Sequence, residues 1–211
     1  MDNASWSVHV VHPYTYKFDE QTNVIGPIER FSKRDQGVHE LLETALEAER
    51  PIVHHWHKPQ GTLEGALGTV GLILDPNFEI LFDNRVINVT TTPYGIPLAD
   101  ERPEKVAVDN WRELVKFYDT FLSMRSKLPK TEKVLFLGGV YENCLVNCIC
   151  HFNDHFRHQT QRLYVCPELS VSLNSKEYTR CRGILLSRGV GEMTAEEAID
   201  ATSRKMIESV A

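Results

Sequence analysis

With 211 residues, 42% of them hydrophobic and 25% charged, the chain is long enough for one ordinary core, and no Pro- or Gly-rich linker divides it, so a single domain over residues 1–211 is expected. A net charge of −6 and a pI near 5.8 leave no basic footprint for a phosphate backbone, Lys33-Arg34 and Arg180/Arg182 being short and scattered, which excludes nucleic acid as a partner. No apolar run approaches the roughly 18 residues of a membrane span, the Met1–Ser5 start lacks a signal peptide's basic and apolar regions, and an odd count of five cysteines reads as reduced thiols; the expected compartment is the cytoplasm.

Ser7 to Val11 alternates and predicts the first strand, and the polar stretch Pro13 to Lys33 predicts a long loop able to cover a site. Val38, Leu41, Leu42, Ala45 and Leu46 recur at helical spacing within Gly37–Glu49, and Arg50-Pro51 ends that helix before Ile52-Val53 opens a second strand. Gly61 to Asp83, Gly-rich and then apolar, fits neither period. Val106 to Leu128 reads as the strongest helix, with Trp111, Leu114, Val115, Tyr118, Phe121 and Leu122 on one core-facing stripe before Pro129. Further on, Val134 to Leu137 reads as a strand and Cys144 to about His158 as a helix. Arg162–Cys166 and Gly183–Leu186 supply late strands, and Cys166 and Cys181 are read as strand residues in the core. Thr194 and Glu197, at capping-box spacing, open a last helix. This alternation implies a mostly parallel sheet with helices on both faces, a Rossmann-like three-layer α/β/α fold that binds ligands at the carboxyl ends of its strands. His12, His55 to His57 and Cys144 all fall at such ends, so one cleft can hold them.

The richest stretch is Lys133 to Glu168, where Val134-Leu135-Phe136-Leu137 meets Gly138-Gly139 and then Cys144 at the start of a helix. A glycine pair ending a buried strand permits positive φ or a close backbone approach. A cysteine in the first helical turn faces unpaired N–H groups and the positive end of the helix dipole, which favour thiolate over thiol. Two readings stay open on these residues alone: a nucleophile, or a small buried hydrophobe.

Gly138-Gly139-Val140-Tyr141-Glu142-Asn143-Cys144-Leu145 resembles the nucleophile segment of the isochorismatase-like cysteine hydrolases, a family that includes nicotinamidases. Ser7–His12 is similar to the first family strand, Leu41-Leu42 through Pro51-Ile52-Val53 to the helix that leads into the second, and His55-Trp56-His57-Lys58-Pro59 to the Asp-Trp-His-Pro segment of nicotinamidases. The likeness spans most of residues 7 to 169. It implies the α/β fold, a small-molecule substrate and a homo-oligomer. The chain also departs from the family's Asp–Lys–Cys triad: His12 takes the place of the aspartate, and Asn88 and Val89 follow Val86-Ile87 where the resemblance implies the lysine.

Three constellations compete for the chemistry. In the first, His12 activates Cys144, as imidazole does in other Cys–His pairs, and the resemblance implies an oxyanion hole in the turn, at Gly139, Val140, Tyr141 and Asn143. In the second, His55 and His57, two apart on one strand face, form the candidate pair for zinc or another divalent metal, with Asp75 as a guessed third ligand. In the third, Cys144, Cys148, His151, His155 and His158 share a helix face with spacings that suit soft and imidazole ligands. The expected function is hydrolysis of a carbon–nitrogen bond in a small amide by Cys144 and His12, with no cofactor required. The opposing expectation, prompted by the absent Asp and Lys, is a catalytically inactive relative serving as ligand-binding or oligomeric scaffold.

Overall fold

The computed structural model describes residues 5–13, 15–19, 24–57, 75–91 and 127–203, and only the backbone path at 16–19, 24–27, 57, 90 and 91. Six strands build one parallel sheet: β1 (Trp6–Val11), β4 (Ile52–His57), β5 (Ile87–Thr91), β6 (Lys133–Gly139), β7 (Arg162–Val171) and β8 (Gly191–Glu192). Their order is β5-β4-β1-β6-β7-β8, so β1 and β6 are central. A separate antiparallel hairpin joins β2 (Tyr16–Asp19) to β3 (Val24–Pro27).

Each side chain along β1 is buried, as a central strand covered on both faces requires, and alternation divides them. Trp6, Val8 and Val10 join α1 (Ser32–Glu47) and α4 (Ala195–Ser203) in one core, with Leu41, Leu42, Leu135 and Leu137. Ser7, His9 and Val11 face the other side, where α2 (Val146–His155) and α3 (Ser175–Ser187) pack on Val53, Val134, Phe136 and Val165. Two core layers sandwich the sheet, the three-layer arrangement that the alternating pattern implies. Because parallel strands need crossovers, α1, α2 and α3 start at the sheet's carboxyl edge.

Several elements differ from the sequence reading. Pro13–Lys33 is not one loop: it holds the β2–β3 hairpin, a 3-10 turn at Glu29–Phe31 and the first two residues of α1. Strands four residues long carry too little periodicity to stand out. Gly183–Leu186 is helical, inside α3, and carries Cys181 with it. The Asn174 side chain caps that helix by accepting from the Lys176 and Glu177 N–H groups, and a Cβ on Gly183 would meet nothing within 4 Å, so the glycine marks no strand. A short apolar run is ambiguous between the two states, and here the cap decides. α2 stops at His155, leaving His158 in the following turn. The capping box of α4 forms as expected, with the Thr194 N–H donating to Glu197 Oε2 and the Glu197 N–H to Thr194 Oγ1. Val106–Asn110 and the Trp111–Leu122 stripe lie outside the described residues.

Candidate active site

His12 and the segment that carries Cys144 leave the sheet where β1 and β6 end side by side. Val11 pairs with Gly138, so His12 and the segment after Gly138 leave adjacent strands at the same edge. The glycine pair is required by contact. Gly138 has φ +118°, and a Cβ there would stand 1.9 Å from the Val11 carbonyl oxygen; a Cβ on Gly139 would stand 2.7 Å from Val171 Cβ. Val140 follows through a cis peptide.

Cys144 lies in a single π-turn, Tyr141–Leu145, that runs straight into α2. It is therefore in the opening turn of a helix whose N-terminus faces the sheet's edge, and the residue is 9% exposed. The N–H groups of Asn143 and Leu145 both donate to the Val140 carbonyl at 3.1 Å. Asn143 Oδ1 accepts from Asn147 Nδ2. Tyr141 is fully buried against Tyr178 of α3, with ring centroids 4.7 Å apart.

His12 has φ +39°, a left-handed conformation that costs a Cβ-bearing residue roughly 1–2 kcal/mol. Its N–H donates to the His55 carbonyl at 3.1 Å, and the residue is 5% exposed. Such backbone outliers persist where surrounding contacts over-determine them, and they cluster at functional sites.

His55 faces α2. Its Nε2 is 3.0 Å from His9 Nδ1 and its Nδ1 is 3.7 Å from Cys148 Sγ, making a buried line of thiol, imidazole and imidazole one turn below Cys144. Burial pushes His9 down to about 3, and His55 well below the ordinary histidine value, with the neighbouring His9 and His54 adding to the effect on His55. Burial likewise pushes the Cys148 thiol up. The three groups are therefore neutral near pH 7, and the His9 Nε2 at the end of the line has no hydrogen-bond partner among the described residues. Alternation of β1 places His9 opposite this stretch of α2, a signal already present in the strand's sequence.

These contacts bear on the metal pair. Both ring nitrogens of His55 already face protein groups, and the His57 side chain is outside the described residues. Asp75 Oδ1 accepts from the Asn77 N–H. Among the described residues no group of three or more His, Cys, Asp or Glu side chains is placed to hold a metal ion, the Cys144–His158 stripe included. The position after Val86-Ile87 also changes meaning: β5 begins at Ile87 and runs to Thr91, so Asn88 and Val89 lie within the sheet, Asn88 Oδ1 bonding His54 Nδ1 and Val89 packing in the α2-side core. Across the sheet Val89 is in line with His55, Val11 and Gly138, and no lysine stands at either position.

Glu142, two residues before Cys144, is a further residue the sequence reading passed over. Its Oε1 accepts from the Ser172 hydroxyl and from the N–H groups of Leu173 and Asn174, at 2.9 and 2.8 Å for the two amides.

No protein-family model matches this sequence, and no curated protein does. Solved structures do. The zinc complex of a pyrazinamidase from Pyrococcus horikoshii superposes with TM-score 0.55 at 17% identity, covering 90% of this chain and 99% of that one. The fold is that of the isochorismatase-like hydrolases. An isochorismatase-like hydrolase from Alkaliphilus metalliredigens gives TM-score 0.59 at 12% identity over 94% of this chain and 99% of its own. YcaC from Escherichia coli, an octameric hydrolase of unknown specificity, gives 0.54 at 14% over 94% and 79%. No described helix is long and apolar enough to cross a membrane.

Proposed function

We propose that this isochorismatase-like protein hydrolyses a carbon–nitrogen bond in a small amide, with Cys144 as nucleophile and His12 as its base. The observation that supports the reading is the junction itself: two tightly hemmed glycines lead from β6 into the turn that carries Cys144 at the opening of α2, and the neighbouring strand β1, paired with β6 as far as Gly138, runs into His12 with its left-handed backbone.

The chemistry runs in two halves. His12 takes the thiol proton, the sulfur attacks the amide carbon, and the tetrahedral oxyanion is met by donors of the Gly139–Asn143 turn. Asn143 would serve through its exposed side-chain NH2, because its main-chain N–H is engaged with Val140. The C–N bond breaks as the imidazolium returns its proton to the leaving amine. Water then attacks the thioester, His12 accepts its proton, and the C–S bond breaks to release the carboxylic acid and the thiol. Neither half uses a lysine, and none requires a metal.

Exposed Leu173 and Leu186 on the β7–α3 side suit assembly into a homo-oligomer, as YcaC forms, and five free thiols suit a cytoplasmic setting. The deciding experiment screens small amides with wild type and Cys144→Ala. Loss of turnover by about a thousandfold or more in the variant is expected. A variant as active as wild type would remove Cys144 from the mechanism.

A further inference from the structure

The nucleophile turn is fastened to α3 and its entry loop at three points. Tyr141 packs its ring on Tyr178. The Cys181 thiol donates to the Glu142 carbonyl at 3.6 Å. The Glu142 carboxylate crosses to the β7–α3 loop, where one oxygen collects the Ser172 hydroxyl and two successive main-chain N–H groups, those of Leu173 and Asn174. Asn174 is itself the cap of α3. Glu142 therefore spans from the turn that carries the thiol to the N-terminal end of a helix, where unpaired N–H groups and the helix dipole hold a carboxylate well. Burial pushes this carboxyl up, but Ser172 and the main-chain donors outweigh it and hold it below the usual glutamate range.

The position of the far end matters. Val171 pairs with Gly139, so the loop that follows it emerges next to the nucleophile turn at the same edge. The Asn143 and Leu145 N–H groups close the turn on Val140, which fixes its internal shape but does not tie it to anything outside. Of the ties that run from the turn to α3 and its loop, the carboxylate makes the most among the described residues.

We propose that Glu142 is a positioning residue: its carboxylate locks the Tyr141–Leu145 turn to the Ser172–Asn174 loop and so holds the Cys144 sulfur in its reactive placement. The role rests on the reading of Cys144 as the nucleophile, and it acts through that turn without contacting substrate. It also makes Ser172–Asn174 part of the site's frame, with Leu173, 59% exposed, pinned by its own N–H at the rim.

The test compares Glu142→Ala, Glu142→Gln and the control Glu177→Ala, a nearby exposed acid that pairs with Arg180. Two quantities are read in folded full-length protein: hydrogen exchange of the Leu173 and Asn174 amides, and the rate of iodoacetamide alkylation at Cys144. Glu142→Ala is expected to speed exchange at both amides at least tenfold and to change the alkylation rate at least fivefold. Glu142→Gln, which keeps an acceptor oxygen, is expected to bring both rates within about threefold of wild type, and Glu177→Ala to leave both unchanged. Faster exchange with an unchanged alkylation rate would mean that the carboxylate orders the loop alone and would overturn the proposal, as would an Ala variant indistinguishable from wild type. Failure of the catalytic reading is seen separately, as absent turnover in wild type, and leaves the exchange comparison intact.

Discussion

The two faces of the sheet solve the same packing problem with different chemistry. Under α1 and α4 the centre is hydrocarbon, with Val8, Val10, Leu41, Leu42, Leu135 and Leu137, and the polar groups stand at the margins: His54 against Asn88 beside edge strand β5, and Arg34 against Asp35 in the first turn of α1. Under α2 the polar groups are central, with His9, His55 and Cys148 lined up between β1, β4 and the helix and flanked by Phe136 and Phe152. The difference teaches where stability and where chemistry reside. A hydrocarbon face stabilises through area alone, whereas a face built on imidazoles holds only while they stay neutral and bonded to one another.

The largest way to break the comparison is to remove the frame that both faces share. Gly138→Ala drives a Cβ into the Val11 carbonyl at a positive φ, and a loss of about 4 kcal/mol or more in urea unfolding is expected, enough to prevent folding. Next comes Leu42→Ala in the hydrocarbon face, a fully buried residue whose truncation should cost about 3 kcal/mol, equally at pH 7.5 and pH 5. The imidazoles should do the reverse, leaving stability untouched at pH 7.5 and lowering it in acid. On the α2 face His9 titrates at about 3 when folded and at 6.5 in the unfolded chain, and His55 well below 6.5. The unfolded chain therefore binds protons that the folded one refuses, so stability is complete above pH 6.5 and drains away as pH falls below it. Each buried imidazole contributes about 1.4 kcal/mol per pH unit, or about 2 kcal/mol by pH 5, and a flat unfolding free energy between pH 7.5 and pH 5 would show that these rings are not buried as described. The smallest effect is a gain: Gly183→Ala, on an open side of α3, should stabilise by about 0.5–1 kcal/mol through helix propensity, measurable as a higher Tm.

Sequence pattern foretold the frame of this molecule better than its contacts. β1, α1, β6 and α4 were legible because alternation, helical spacing, the glycine pair and the Thr194–Glu197 box are local signals. The β2–β3 hairpin was not, being built from strands of four residues, and Gly183–Leu186 was misread because an apolar run beside a glycine looks alike in either state. At the site, Gly138, Gly139 and Cys144 announced themselves by type and order. The roles of His9, Cys148 and Glu142 depend on which strand lies beside which helix, and on a loop thirty residues downstream, which spacing along the chain does not encode.

The shortest strand has a consequence for how copies of this chain can meet. Among the described residues β8 offers just Gly191 and Glu192 as backbone at the end of the sheet, with the Glu192 carboxylate held by Arg182. So abbreviated and charged a margin cannot template a further strand, which bars growth of a continuous sheet from one molecule into the next on that side. Association there has to proceed through helical surfaces, and a lattice or assembly that extended the sheet across β8 would require this margin to refold.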